Sequence, residues 1–148
     1  MAKKNPAASA PHKPTALVTG ASSGIGEALA HCFAAGGFDL VLVARSADKL
    51  KTLATNLTQK HGVGVRVLPA DLAQPGAAAR LRAALSGKHS QVDILVNCAG
   101  VLEQGAFTGI TAAGHQQIID LNISGLTAML SAFLPGMVEQ GAGRVLNV

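Results

Sequence analysis

The sequence contains no tryptophan, no tyrosine and only four phenylalanines. Proteins that bind single-stranded nucleic acid stack bases on aromatic side chains and carry a basic stripe, so this scarcity argues against that class. The formal net charge of +4 does not change the argument, because Lys3, Lys4 and Lys13 near the amino terminus account for most of it. The rest of the chain is nearly neutral, and we expect no nucleic-acid partner.

Cysteine and ligand-spaced histidine are also scarce. Cys32 and Cys98 are far apart and form no CxxC motif, which predicts reduced thiols in the cytoplasm. The five histidines are scattered without the short spacing of metal ligands, so we expect no metal site.

Long apolar runs and targeting signals are not evident either. Charged or turn-forming residues interrupt each apolar run before the roughly 20 residues that a membrane span needs, and we expect no membrane partner. Residues 1–14 lack the apolar segment of a secretory signal and are rich in proline, which predicts a flexible tail.

The remaining residues, 15–148, alternate between short apolar runs and helical patterns. Apolar residues make up 49% of the 148-residue chain and charged residues 14%, which is typical of one folded domain. Strands are predicted at residues 16–18, 39–44, 63–68, 92–97 and 143–148. A long helix is predicted at residues 111–140, bent or divided near Pro135. Continuously apolar strands that alternate with helices predict a doubly wound α/β fold with a parallel sheet.

A glycine-rich turn, TGASSGIG, joins the first strand to the first helical pattern. Gly20, Gly24 and Gly26 lack side chains and so allow the backbone to approach a pyrophosphate at the helix amino terminus. Ser22, Ser23 and Ile25 lie between them and complete the predicted cradle. Glycine also occurs in ordinary turns, but the position directly after a strand favours a dinucleotide site in a Rossmann-type fold.

Arg45 follows the second predicted strand. Folds of this type that prefer NAD place an acidic residue there, which binds the ribose 2′-hydroxyl group, whereas an arginine can pair with a 2′-phosphate. Arg45 therefore predicts a preference for NADP(H) over NAD(H). The alternative is an exposed arginine without a partner, which is common on protein surfaces.

These motifs together resemble the short-chain dehydrogenase/reductase family, whose TGxxxGxG turn is matched by Thr19, Gly20, Gly24 and Gly26. The resemblance covers about residues 15–148, and GRVLNV at the end of the chain resembles the family's fifth strand. It implies hydride transfer between a nicotinamide cofactor and an alcohol or carbonyl substrate.

Three further matches follow in the family's order. Asp71-Leu72 resembles the pair that contacts adenine, and Asn97-Cys98-Ala99-Gly100 resembles the NNAG motif with Cys98 at the second asparagine. Each match also has a structural alternative, because aspartate can cap a turn and asparagine can satisfy backbone groups at a strand end.

Asn122, within LNISG, matches the helix asparagine that in this family helps to hold a proton-relay water. The family's acid–base chemistry also uses a serine after the fifth strand and a Tyr-x-x-x-Lys motif. This sequence has no tyrosine, and its last lysine is Lys88. The resemblance therefore predicts the cofactor-binding half of such an enzyme, truncated after the fifth strand and inactive as an isolated chain.

Two other functions stay open: a non-catalytic NADP(H)-binding module, and an interaction protein that binds a partner through an edge strand. The resemblance implies that the fifth strand would lack the strand that the family adds beside it, and that the long helix around Phe133 would lack its neighbouring helix and expose an apolar face. We therefore expect the chain to form homo-oligomers or to aggregate.

Overall fold

The computed structural model describes residues 13–85 and 91–148, which form a five-stranded parallel sheet with helices on both faces. The strands are β1 (Thr15–Thr19), β2 (Asp39–Ala44), β3 (Val65–Pro69), β4 (Ile94–Asn97) and β5 (Arg144–Asn147). The helices are α1 (Gly24–Ala35), α2 (Ala47–His61), α3 (Ala77–Ala84), α4 (Ala112–Ile118) and α5 (Leu126–Glu139). A π-helical segment, Ile119–Gly125, joins α4 to α5, and a short 3-10 turn covers Phe107–Gly109. The predicted doubly wound α/β fold is confirmed.

The strand order is β3-β2-β1-β4-β5, so the direction of winding reverses between β1 and β4. In open α/β sheets, ligands bind beyond the carboxyl ends of the strands at such a switch point. β1 is buried along its whole length, whereas β5 is an edge strand with all four residues exposed. The predicted turn after β1 therefore lies where this topology favours a binding site.

The core has two layers, one on each face of the sheet. Successive strand residues point to opposite faces, so Leu17 packs towards α3 and α5 whereas Val18 packs towards α1 and α2. This double burial explains why the central strands are apolar at consecutive positions.

The amino-terminal prediction can be compared with the structure only in part. The predicted tail falls mostly in residues 1–12, which lie outside the described residues. Lys13 is described, and its Nζ lies 3.1 Å from Asp39 Oδ1.

The sequence predicted that the long helix is bent or divided near Pro135, and the division is wrong. Helical backbone extends from Ala112 to Glu139, with Pro135 inside α5 and the π-helical segment as its irregular part. Proline leaves the carbonyl four residues earlier without its helical partner. Pro135 and Ser131 both lie on the exposed side of α5, where water can satisfy that carbonyl.

The helical stretch Ala112–Glu139 contains an 18-residue window with a mean hydropathy of 1.4, so by length and composition alone it is long and apolar enough to cross a membrane. Met129, Phe133 and Met137 are buried on its inner side against the sheet. Its outer side exposes four large apolar residues: Ile119, Ile123, Leu134 and Val138. We call these four residues the apolar stripe.

Candidate functional site

A cleft of about 660 Å³ lies beyond the carboxyl ends of the central strands. Most of the residues predicted from the sequence line it: Gly20, Ser22, Ser23, Ile25, Gly26, Arg45, Asp71, Leu72, Ala99 and Gly100. Gly24, Asn97 and Asn122 do not line the cleft. The structure thus brings together the four loops that follow β1, β2, β3 and β4.

The glycine turn packs too closely for side chains at two positions. A Cβ on Gly20 would lie 2.8 Å from the carbonyl oxygen of Cys98, and one on Gly26 would overlap the carbonyl oxygen of Gly20. Gly20 also has a φ of +66°, which favours glycine. Gly24 has a φ of +58° with open space around it, so its contribution is conformational.

Helix α1 begins directly at this turn. Ser23 is its N-cap, and its side chain makes no capping hydrogen bond. The first amide groups of a helix have no partner within it, and the helix dipole adds partial positive charge there. An anionic group such as a pyrophosphate therefore fits this position.

Thr19 ties the end of β1 to the loop after β4. Its hydroxyl accepts hydrogen bonds from the backbone amides of Cys98 at 2.9 Å and Ala99 at 3.1 Å. It donates to the carbonyl oxygen of Val96 at 3.2 Å. One hydroxyl thus holds the cleft-lining 98–100 loop against the glycine turn.

We expect Thr19→Val to destabilise the fold. The change leaves the amides of Cys98 and Ala99 without their acceptor, which costs about 1–3 kcal/mol for a buried group. Denaturant unfolding measures the loss, and Thr19→Ser, which keeps the hydroxyl, should stay close to wild type. Equal stability of the valine and serine variants would contradict this role.

Two cations line the cleft beside the end of β2. Arg45 follows the strand, and Lys49 lies in the first turn of α2, whose N-cap Ser46 also lines the cleft. The Ser46 hydroxyl makes no capping bond, and within residues 13–85 and 91–148 neither cation forms an ion pair. Lys49 and Ser46 were not predicted as cleft residues from the sequence, although both follow Arg45 within four positions.

The turn after β3 supports both interpretations of Asp71. Its Oδ1 accepts a hydrogen bond from the Ala73 amide at 3.1 Å, which confirms the turn-capping alternative. Asp71 also lines the cleft, next to Leu72, which is only 8% exposed. The Asp71 carboxylate can therefore cap the turn and line the cleft at the same time.

The residues at the end of β4 and directly after it have two roles: the first supports the sheet edge, and the following ones line the cleft. Asn97 is buried and its Nδ2 donates to Asn147 Oδ1 at 3.0 Å, so its side chain joins the ends of β4 and β5. Cys98 lines the cleft, and burial raises the pKa of its thiol, which keeps the side chain neutral near pH 7. Ala99 and Gly100 also line the cleft.

Asn122 lies in the π-helical segment and holds the same loop from the other side. Its Oδ1 accepts from the Val101 amide at 2.9 Å, and its Nδ2 donates to the Val101 carbonyl at 2.8 Å. Leu121 lines the cleft beside it, as does Val148 directly after β5. Neither apolar residue was predicted from the sequence, since no local pattern separates them from core positions.

The cleft lining has cations, hydroxyls and backbone amides but no phenol or imidazole among the described residues. The described ranges also contain no group of three histidine, cysteine or acidic residues that could hold a metal ion. The arrangement can hold an anionic dinucleotide, whereas it offers no phenolic proton donor.

A family model for short chain dehydrogenases matches residues 14–148. An uncharacterised oxidoreductase of Staphylococcus haemolyticus is 38% identical over 133 residues, which are 90% of this chain and 56% of that protein. The chain spans about half the length of the curated relatives it matches.

The chain is also similar to solved structures, and it again spans about half of each. A short-chain dehydrogenase from Sphingobium yanoikuyae in complex with NADPH is 42% identical with a TM-score of 0.84, over 90% of this chain and 52% of that one. The L-sorbose reductase from Gluconobacter frateurii complexed with NADPH and L-sorbose is 32% identical with a TM-score of 0.86, over 91% and 51%.

Proposed function

The chain belongs to the short chain dehydrogenase family, and we propose that it is the NADP(H)-binding half of an oxidoreductase. The complete enzyme would transfer hydride between the nicotinamide and an alcohol or carbonyl substrate. The observation that carries the proposal is the shared cleft, in which the amino terminus of α1 and the Arg45–Lys49 pair lie around one cavity. We assign residues 15–148 to this incomplete Rossmann-type domain.

The residues that line the cleft suit a dinucleotide. The pyrophosphate would lie against the first turn of α1, where Gly20 and Gly26 leave room that a Cβ would fill. The Asp71–Leu72 turn would border the adenine, and Ala99 and Gly100 would offer backbone groups to the ribose. The bound nicotinamide would supply the hydride, while these residues only bind and orient it.

The preference for NADP(H) rests on charge at the end of β2. Arg45 and Lys49 would both face a 2′-phosphate, and the unused hydroxyl of Ser46 could donate to it. No carboxylate follows β2 directly to bind a ribose 2′-hydroxyl group. The NADPH in the Sphingobium and Gluconobacter structures supports the same choice.

We expect the 148-residue chain to bind NADPH without turning it over. Carbonyl reduction needs a proton donor, and positioned acid–base groups contribute typically 10²–10⁴-fold. The Asn122 amide, already bonded to Val101, cannot replace the tyrosine that the chain lacks. NADPH consumption in the presence of aldehydes and ketones tests this, with the intact mass of the native product as a companion measurement.

Saturable, carbonyl-dependent consumption by the purified chain would contradict its proposed inactivity. A native product heavier than the calculated 14.9 kDa should show the activity that the shorter chain lacks. A product of 14.9 kDa that binds NADPH without turnover would favour the non-catalytic module.

We also propose that the chain self-associates through exposed apolar surface. Val138 in the apolar stripe is 76% exposed, and every residue of β5 is exposed at the sheet edge. Light scattering should show dimers or larger species, and Val138→Lys should reduce them. A monodisperse wild-type monomer with a cooperative melt would overturn the proposal.

We propose a cytoplasmic location for the chain. Cys32 and Cys98 are free thiols, which suits a reducing compartment.

A further inference from the structure

Gly125 is buried at the end of the π-helical segment, where this helix passes the turn after β3. A Cβ there would lie 2.7 Å from the carbonyl oxygen of Leu72 and 3.4 Å from its carbonyl carbon. Real Cβ atoms essentially never come within 3.0 Å of a heavy atom outside their own residue and its chain neighbours, and the atoms close to Gly125 are backbone atoms. The dihedrals of Gly125 are ordinary helical ones, φ −62° and ψ −47°, so glycine is required here for space.

The turn that Gly125 contacts is internally bonded. The Ala73 amide donates to Asp71 Oδ1 at 3.1 Å, and the Gln74 amide donates to the Asp71 carbonyl at 3.2 Å. The Ala70 amide, just before the turn, donates to the carbonyl of Ala44 at 3.0 Å. A displacement of the Leu72 carbonyl is therefore transmitted to Asp71 and the cleft wall.

The same π-helical segment also holds a second wall of the cleft. Asn122 binds both backbone groups of Val101, and Leu121 lines the cavity. A π-helical turn contains an extra residue, and such turns are frequent at functional sites. Here one segment contacts the Asp71–Leu72 turn through Gly125 and the 98–101 loop through Asn122.

We propose that Gly125 is a positioning residue for the adenosine end of the cofactor. Its missing side chain lets the helix seat against the Leu72 carbonyl and so sets the distance between the Asp71–Leu72 turn and the 98–101 loop. Any side chain at this position displaces one of these elements by at least a few tenths of an ångström. The inference rests on the proposed function, because it assigns the cleft to a dinucleotide.

Binding of cofactor fragments by Gly125→Ala tests the inference. The dissociation constants of NADPH and 2′,5′-ADP should rise by the same factor, about tenfold, which corresponds to about 1.4 kcal/mol. Binding of reduced nicotinamide mononucleotide should not change, because the other end of the cleft is untouched. Gly136→Ala is the matched control, since Gly136 lies in α5 and a Cβ added there would have no neighbour within 4 Å.

The outcomes are distinguishable. A folded Gly125→Ala variant with wild-type affinity for 2′,5′-ADP would overturn the inference, as would equal weakening of both fragments. A smaller folded fraction with wild-type dissociation constants would show a purely structural role and would also overturn it. A wild-type chain that binds neither NADPH nor 2′,5′-ADP would overturn the proposed function and this inference with it.

If Gly125→Ala does not fold, hydrogen exchange on the wild-type chain tests whether the Asp71–Leu72 turn and the helix after Gly125 are coupled. Adding 2′,5′-ADP should slow amide exchange in the 71–74 turn and also at residues 126–130, which follow Gly125 and do not line the cleft. Protection confined to the cleft residues would contradict the coupling.

Discussion

Gly26→Ala should weaken NADPH binding about 100-fold, which corresponds to about 2.8 kcal/mol. The new Cβ would overlap the carbonyl oxygen of Gly20 and lie 2.7 Å from its carbonyl carbon. Overpacking of this kind typically costs about 1–3 kcal/mol, and here it displaces the turn that would hold the pyrophosphate. Isothermal titration with NADPH measures the change.

Gly136→Ala separates this effect from the general cost of replacing a glycine in a helix. Gly136 has open space around it, so its alanine variant should bind NADPH as wild type does and be slightly more stable. Thermal melts of both variants show whether the fold persists. An affinity of Gly26→Ala within about twofold of wild type would refute the pyrophosphate cradle.

Arg45→Ala should weaken NADPH binding about tenfold, and the Arg45→Ala/Lys49→Ala double variant further, while NADH binding changes little. Charged hydrogen bonds contribute about 1.5–3 kcal/mol, and the exposure of both side chains places the single effect at the low end. The selectivity arises because only NADPH carries the 2′-phosphate. Titrations of both nucleotides at low and high salt measure it.

Lys51→Ala is the matched control for lost positive charge. Lys51 lies on the same helix and its Nζ is 3.8 Å from Asp48 Oδ1, outside the cleft lining. Lys51→Ala should leave the affinities for NADPH and for NADH near those of the wild-type chain. Equal weakening of NADPH and NADH by Arg45→Ala would refute the 2′-phosphate assignment.

Local pattern was sufficient to predict the sheet and the loops at its carboxyl edge. β2 was predicted with its observed bounds because Asp39–Ala44 contains a continuous apolar run that turn residues precede. The structure buries this strand almost throughout. The glycine turn and Arg45 were predicted from their positions after strands, which a parallel sheet brings to one edge.

The site residues that the sequence did not predict depend on tertiary contacts, which a local sequence pattern does not contain. Lys49 and Leu121 reach the cleft only because of the way their helices pack, and periodicity alone cannot show which apolar residue faces a cavity. From the sequence alone Gly125 is an unfavourable helix residue, and only the contact with the Leu72 carbonyl explains why a glycine is present. Pro135 was expected to bend or divide the helix because its exposed position was not known.

Equilibrium titration of the wild-type chain with NADPH and with NADH tests the central claim most directly. We predict saturable NADPH binding at a single site, competition by 2′,5′-ADP, and NADH binding about tenfold weaker or more, a difference of about 1.4 kcal/mol. Absence of saturable NADPH binding, or equal affinity for the two nucleotides, would contradict it.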